Sequence, residues 1–178
     1  EGAPVLFDAI EFDDAIATID VLYDLAFVLM DLGARRLPAH ANAALNAYLE
    51  ACGDTGNLIG LAALPLFLSM RAMIRAKVGL LRADLKPESR AEAEARAASY
   101  VLLARNHLER KRPRLVAVAG LSGSGKSSVA QALAPQIGAF PGAVLVRSDI
   151  ERKRLFGVSG EERLPRSAYA AEVSAIVY

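Results

Sequence analysis

Gly120-Leu121-Ser122-Gly123-Ser124-Gly125-Lys126-Ser127 fits G-x-x-x-x-G-K-[ST] at every fixed position. Few eight-residue stretches restrict a chain more. The glycines let the backbone turn tightly and point successive N–H groups into one concavity. A helix must then start at the lysine, so that its free N–H groups face the same place. The flanks agree: residues 115–119 form an apolar run of the buried-strand type, and a helix is expected from Lys126 to about Ile137. Such a loop grips a polyphosphate. Lys126 is expected to reach the β- and γ-phosphates and to act catalytically, and the Ser127 hydroxyl to ligate Mg2+. Gly120, Leu121, Ser122, Gly123, Ser124, Gly125 and Ser128 complete the expected nucleotide site, with ATP and Mg2+ as its cofactors.

A second strand is predicted over residues 143–146, ending in Arg147-Ser148-Asp149. Ligands of open α/β sheets bind at the carboxyl ends of strands, which turns Asp149 toward the phosphates. Three readings stay open there: a general base for a substrate hydroxyl, a magnesium ligand, or the N-cap of a helix starting at Ile150. Arg152, Lys153 and Arg154 follow, either to hold an anion or simply as a solvated run.

Gly-Leu-Ser-Gly-Ser-Gly-Lys-Ser-Ser at 120–128 and Val-Arg-Ser-Asp at 146–149 resemble the small-molecule P-loop kinases. That group includes gluconate-kinase-like, polynucleotide-kinase-like and zeta-toxin-like proteins. The acid at the end of the second strand commonly lies in their acceptor site, so the resemblance implies a catalytic role for Asp149. It also implies ATP-dependent phosphoryl transfer to a small hydroxylated molecule.

The preceding residues read differently. Residues 15–32 carry apolar side chains around most of a helix, with Asp13 and Asp14 at its start and Gly33 at its end. Asp20, Asp24 and Asp31 lie on one line of it. Arg71, Arg75 and Arg82 repeat the same spacing on a helix expected over residues 57–81, kinked at Pro65. Buried carboxylates need partners, so some of these aspartates are expected to meet those arginines. Between the two, Pro38 opens a helix to about Ala51. An Ala-rich helix, with a Glu92–Arg96 pair, is expected over residues 87–110.

Phe7-Asp8-Ala9-Ile10-Glu11-Phe12-Asp13, followed by Asp20-Val21-Leu22-Tyr23-Asp24-Leu25-Ala26, resembles the C-terminal lobe of aminoglycoside-phosphotransferase-like kinases. The resemblance implies that Asp8 is a magnesium ligand and that Asp24-Leu25-Ala26 buttresses a catalytic loop. That family's His-Gly-Asp loop would precede residue 1. Val5-Leu6-Phe7 reads as a strand already under way, and residues 167–178 as a helix without a cap. The sequence thus reads as an internal piece of a longer protein. The order of the two resemblances is that of a bacterial bifunctional protein, an aminoglycoside-phosphotransferase-like domain fused to a P-loop kinase (AAA-type ATP-binding) domain.

The division expected is a lobe over residues 1–86, a connecting helix and basic linker over 87–112, and a P-loop domain over 113–178. The expected fold class is α/β overall, a mostly helical kinase-like lobe followed by the start of a parallel α/β domain. A formal net charge of +1 excludes any bulk demand for nucleic acid or an anionic membrane, so the partners expected are ATP and a small phosphoryl acceptor. A nucleotide-binding regulatory module with a degenerate kinase-like helical domain is the alternative. The uncharged, strongly apolar stretch over residues 57–70 is too short to span a bilayer. Cys52 has no partner for an internal disulfide, which fits the cytoplasm; a half-buried place near a helix end is expected for it. His40 and His107 stand alone, without a second ligand at metal spacing.

Overall fold

A computed structural model describes residues 19–53, 55–83, 90–121 and 123–177. Five helices come first: α1 (Val21–Ala34), α2 (Pro38–Cys52), α3 (Thr55–Gly60), α4 (Leu64–Ala83) and α5 (Arg90–Leu108). Three short ones follow the charged break: α6 (Lys126–Leu133), α7 (Ser148–Leu155) and α8 (Ala171–Val177). Single 3₁₀ turns occupy Ala134–Gln136 and Arg166–Tyr169.

Asp20 opens α1. Its carboxylate accepts the Leu22 N–H at 2.8 Å, satisfying one of the free donors of the first turn. Asp13 and Asp14, expected to start this helix, lie outside the described residues. Pro38 stands at the first position of α2, where a missing N–H is harmless. The single helix expected over 57–81 is instead two, broken at residues 61–63. Pro65 falls in the first turn of α4 rather than at an internal kink.

The core lies between α1, α2, α4 and α5. Leu29, Met30, Leu45 and Leu68 are fully or almost fully buried in it, with Ala26, Ala41, Ala72 and Ala104. Small side chains mark the seam of α4 with α5: Ala72, Ala76 and Ala83 on one, Ala93, Ala97 and Ala104 on the other. The aspartate and arginine lines do meet across α1 and α4. Arg71 pairs with Asp24 at 3.3 Å and lies 3.9 Å over the Tyr23 ring, and Arg75 pairs with Asp31 at 3.5 Å. Along α5 Arg90 pairs with Glu94 at 2.9 Å, and the expected Glu92–Arg96 pair is not found among the described residues.

Gly33 does not end α1, which continues to Ala34. Its missing side chain serves packing. A Cβ there would lie 2.8 Å from Cζ of Phe140, which inserts against the helical core beside His107. Cys52 is exposed rather than half-buried.

The α/β expectation is corrected. The described residues are mainly helical, and neither 115–119 nor 143–146 forms a strand. A strand is defined by its ladder, and no extended neighbour among the described residues offers one. Leu115 and Val116 lie exposed. Over 143–145 the backbone groups go elsewhere: the Ala143 N–H donates to the Ala134 carbonyl at 2.8 Å, and side chains of α2 take the Ala143 oxygen and the Leu145 N–H. Among the described residues no helix is long and apolar enough to cross a membrane.

Candidate phosphate site

Gly123 and Gly125 take φ of 77° and 81°, the left-handed region that glycine enters without strain. These reversals turn the chain into α6, whose first residue is Lys126. The Ser124 N–H donates to the Leu121 carbonyl at 3.2 Å. Ser122 lies outside the described residues. Lys126 folds back over the loop, and its Nζ donates to the carbonyls of Gly120 at 2.8 Å and Leu121 at 2.6 Å. Ser127 and Ser128 are exposed in the first turn of α6.

The loop opens on a cleft of about 670 Å³, in the size range of small-ligand sites. Lys126 and Ser127 line one side of it, and Ser148 and Asp149 another. The cleft thus brings the two predicted parts of the site together. Asp149 sits in the first turn of α7, where a carboxylate suits the helix dipole. It is not the N-cap: α7 begins at Ser148, after Arg147. The Asp149 carboxylate pairs with Lys153 at 3.2 Å and accepts a long bond from the Tyr169 hydroxyl at 3.4 Å.

The basic run is not uniformly solvated, although Arg154 is exposed. Arg152 is 4% exposed, donates to the Ala168 carbonyl at 2.6 Å, and stacks 4.9 Å from the Tyr169 ring. Lys153 donates to the Gly160 carbonyl at 2.7 Å, and Arg154 pairs with Glu151 at 2.7 Å. Asp8 lies outside the described residues. Among the described residues no group of three His, Cys, Asp or Glu side chains is placed to hold a metal ion. His40 is exposed, and His107 packs its ring 5.2 Å from that of Phe140.

Sequence reasoning placed α2 but missed its hold on residues 143–147. Asn42, only 3% exposed, donates to the Ala143 carbonyl at 3.0 Å. Asn46 accepts the Leu145 N–H at 2.7 Å, and Glu50 pairs with Arg147. The one signal was two amides four residues apart on a helix face that also carries Ala41, Leu45 and Leu49.

Residues 115–178 match the family described as an AAA domain. An uncharacterized protein of Mycobacterium bovis and uncharacterized proteins of two Mycobacterium tuberculosis strains are each 32% identical to the chain over 155 residues. The match covers 87% of this chain and 29% of each relative, so the chain spans less than a third of the length of these curated relatives. No solved structure matches the chain.

Proposed function

We propose, from the AAA-type phosphate-loop domain over residues 115–178, that the chain takes part in ATP-dependent phosphoryl transfer to a small hydroxylated molecule. The observation that carries this reading is the shared cleft: Lys126 and Ser127 of the loop line it together with Asp149. Loop N–H groups and the N-terminus of α6 bind the phosphates. Lys126 exchanges its two loop carbonyls for phosphate oxygens, where its charge counters the negative charge that builds up during transfer. Asp149 accepts the proton of the attacking hydroxyl.

Magnesium fits this donor set. It holds most of its shell from phosphates and water and needs only one or two protein oxygens, which the exposed Ser127 hydroxyl begins to supply. When bound, it would supply positive charge against that of the phosphates.

The finer reading joins this domain to an aminoglycoside-phosphotransferase-like region over residues 1–86, through a connector over 87–112. It is supported by the Asp24-Leu25-Ala26 motif and makes Asp8 a magnesium ligand of that region's own, separate site. A cytoplasmic place goes with both activities.

Titration of MgATP by calorimetry tests the reading. Lys126→Ala should weaken binding at least about tenfold, the loss of charge-assisted hydrogen bonds. Equal affinity of the two chains sinks it. The rival, a nucleotide-binding regulatory module, is favoured by the exposure and ion pairing of Asp149. It expects the same loss of affinity but no ATP consumption with any of a panel of small alcohols.

A further inference from the structure

Asn42, Asn46 and Glu50 stand at intervals of four along α2, so one line of the helix carries all three. Their partners are Ala143, Leu145 and Arg147, alternate residues of an extended segment. The two spacings agree. Four residues of helix rise about 6 Å, and two residues of extended chain about 6.6 Å. A line of side chains on α2 therefore stays in step with alternate positions of the segment, as a neighbouring strand would.

The attachment is specific at each step. The Ala143 carbonyl accepts from Nδ2 of both Asn42, at 3.0 Å, and Asn46, at 3.2 Å. Asn46 also donates to the Asn42 side-chain oxygen at 3.2 Å, which orients both amides. Its own Oδ1 takes the Leu145 N–H at 2.7 Å. At the far end Glu50 holds Arg147, the residue immediately before α7. Asp149 follows two residues later, in the first turn of that helix.

We propose that this line on α2 is a positioning device: Asn42, Asn46 and Glu50 set the register of residues 143–147 and so the place of Asp149 in the phosphate cleft. The proposal rests on the reading of that cleft as a nucleotide site. None of the three residues touches the nucleotide; they act through the segment they hold. The helical region and the phosphate loop are then one functional unit, since α2 lies far from the loop in sequence yet fixes the opposite wall of the cleft.

Hydrogen exchange on the whole chain, with and without MgATP, tests it. In the unmutated chain MgATP should slow exchange both at 120–128 and at 143–149. In Asn46→Ala, free exchange over 143–147 should quicken about tenfold, the loss of a buried hydrogen bond and the stranding of its partners. MgATP should still protect 120–128 with affinity within about twofold, as the phosphate grip itself is untouched. Its protection of 143–149 should disappear. Glu50→Gln, a milder change at an exposed pair, should lose part of that protection, and it decides the matter alone if Asn46→Ala does not fold. Protection of 143–149 that survives both substitutions overturns the positioning role. Should MgATP protect neither segment in the unmutated chain, the reading of the cleft falls instead. Exchange at 143–147 in Asn46→Ala then still decides whether α2 holds the segment, and unchanged exchange overturns it.

Discussion

The helices before residue 109 fully bury several large apolar side chains, and the described segments after it bury none of that size. Leu22, Leu29, Met30, Leu45 and Leu68 are at most 2% exposed. Leu115 is 98% exposed, Leu121 85% and Val146 71%, and α6 has no buried residue. A helix presents its apolar stripe through neighbours three and four apart, so a second helix close in sequence is enough to cover it. An extended apolar run is covered only by partners from elsewhere in the chain. The phosphate loop depends on neither. Its shape follows from glycine dihedrals and from a helix beginning at Lys126. In this molecule the apolar core and the phosphate loop are therefore written in different regions, and α2 is where they touch.

The largest effect expected is on the helical side. Leu68→Ala empties a fully buried position and should destabilise the chain by about 2–5 kcal/mol in denaturant melts followed by circular dichroism. Leu115→Ala should change stability by no more than about 0.5 kcal/mol. Similar losses at both sites would break the contrast, because they would show that Leu115 is covered in solution.

His107 sharpens the contrast where the two regions meet. Burial against Phe140 pushes its imidazole from the ordinary 6.5 down to about 4. The unfolded chain takes up the proton near 6.5, while the folded one resists it until about 4. This site leaves stability unaffected above pH 6.5 and subtracts from it as pH falls toward 4, by up to about 3 kcal/mol. Thermal melts between pH 7 and 4 should show that slope, and His107→Leu should flatten it. An equal slope in both proteins would mean that the ring is solvated.

How much of this was legible in the sequence follows the same division. The loop at 120–127 was read from spacing alone, because glycine and lysine at fixed offsets specify their own geometry. The pairing of Asp24 and Asp31 with Arg71 and Arg75 was legible as matched spacing on two helices. The strands at 115–119 and 143–146 were not borne out. Apolar composition states that a segment wants cover, but not whether a ladder or a helix supplies it. Arg152 was read as one of three cations either holding an anion or solvated, yet it is buried against Ala168 and Tyr169, residues the sequence does not mark as neighbours. Gly33 looked like a helix stop, and only the approach of Phe140 reveals why it lacks a side chain.

Gly142 offers a smaller effect that bears on the junction itself. Its φ is +110°, and a Cβ there would lie 2.4 Å from the Ala134 carbonyl oxygen and 2.9 Å from Nδ2 of Asn42. A backbone atom cannot rotate out of the way, so Gly142→Ala should cost about 1–3 kcal/mol. The same melts measure it. An unchanged melting temperature would mean that the segment can leave α2 without loss, and the two regions would then be less joined than their hydrogen bonds indicate.

The smallest effect is expected along the matched aspartate and arginine lines of α1 and α4. Asp24 pairs with Arg71, but its side chain is 78% exposed, so water screens the attraction and Asp24→Asn should alter stability by no more than about 0.5 kcal/mol. Arg71 does more than pair. It donates to the Tyr23 carbonyl at 3.0 Å and stacks on the Tyr23 ring, contacts that need a planar guanidinium. Arg71→Lys keeps the charge and loses the plane, and should cost about 1 kcal/mol. If Asp24→Asn proved the more damaging of the two, charge rather than packing would hold α1 to α4, and the account of the helical region as an apolar core with surface pairs would have to be reversed.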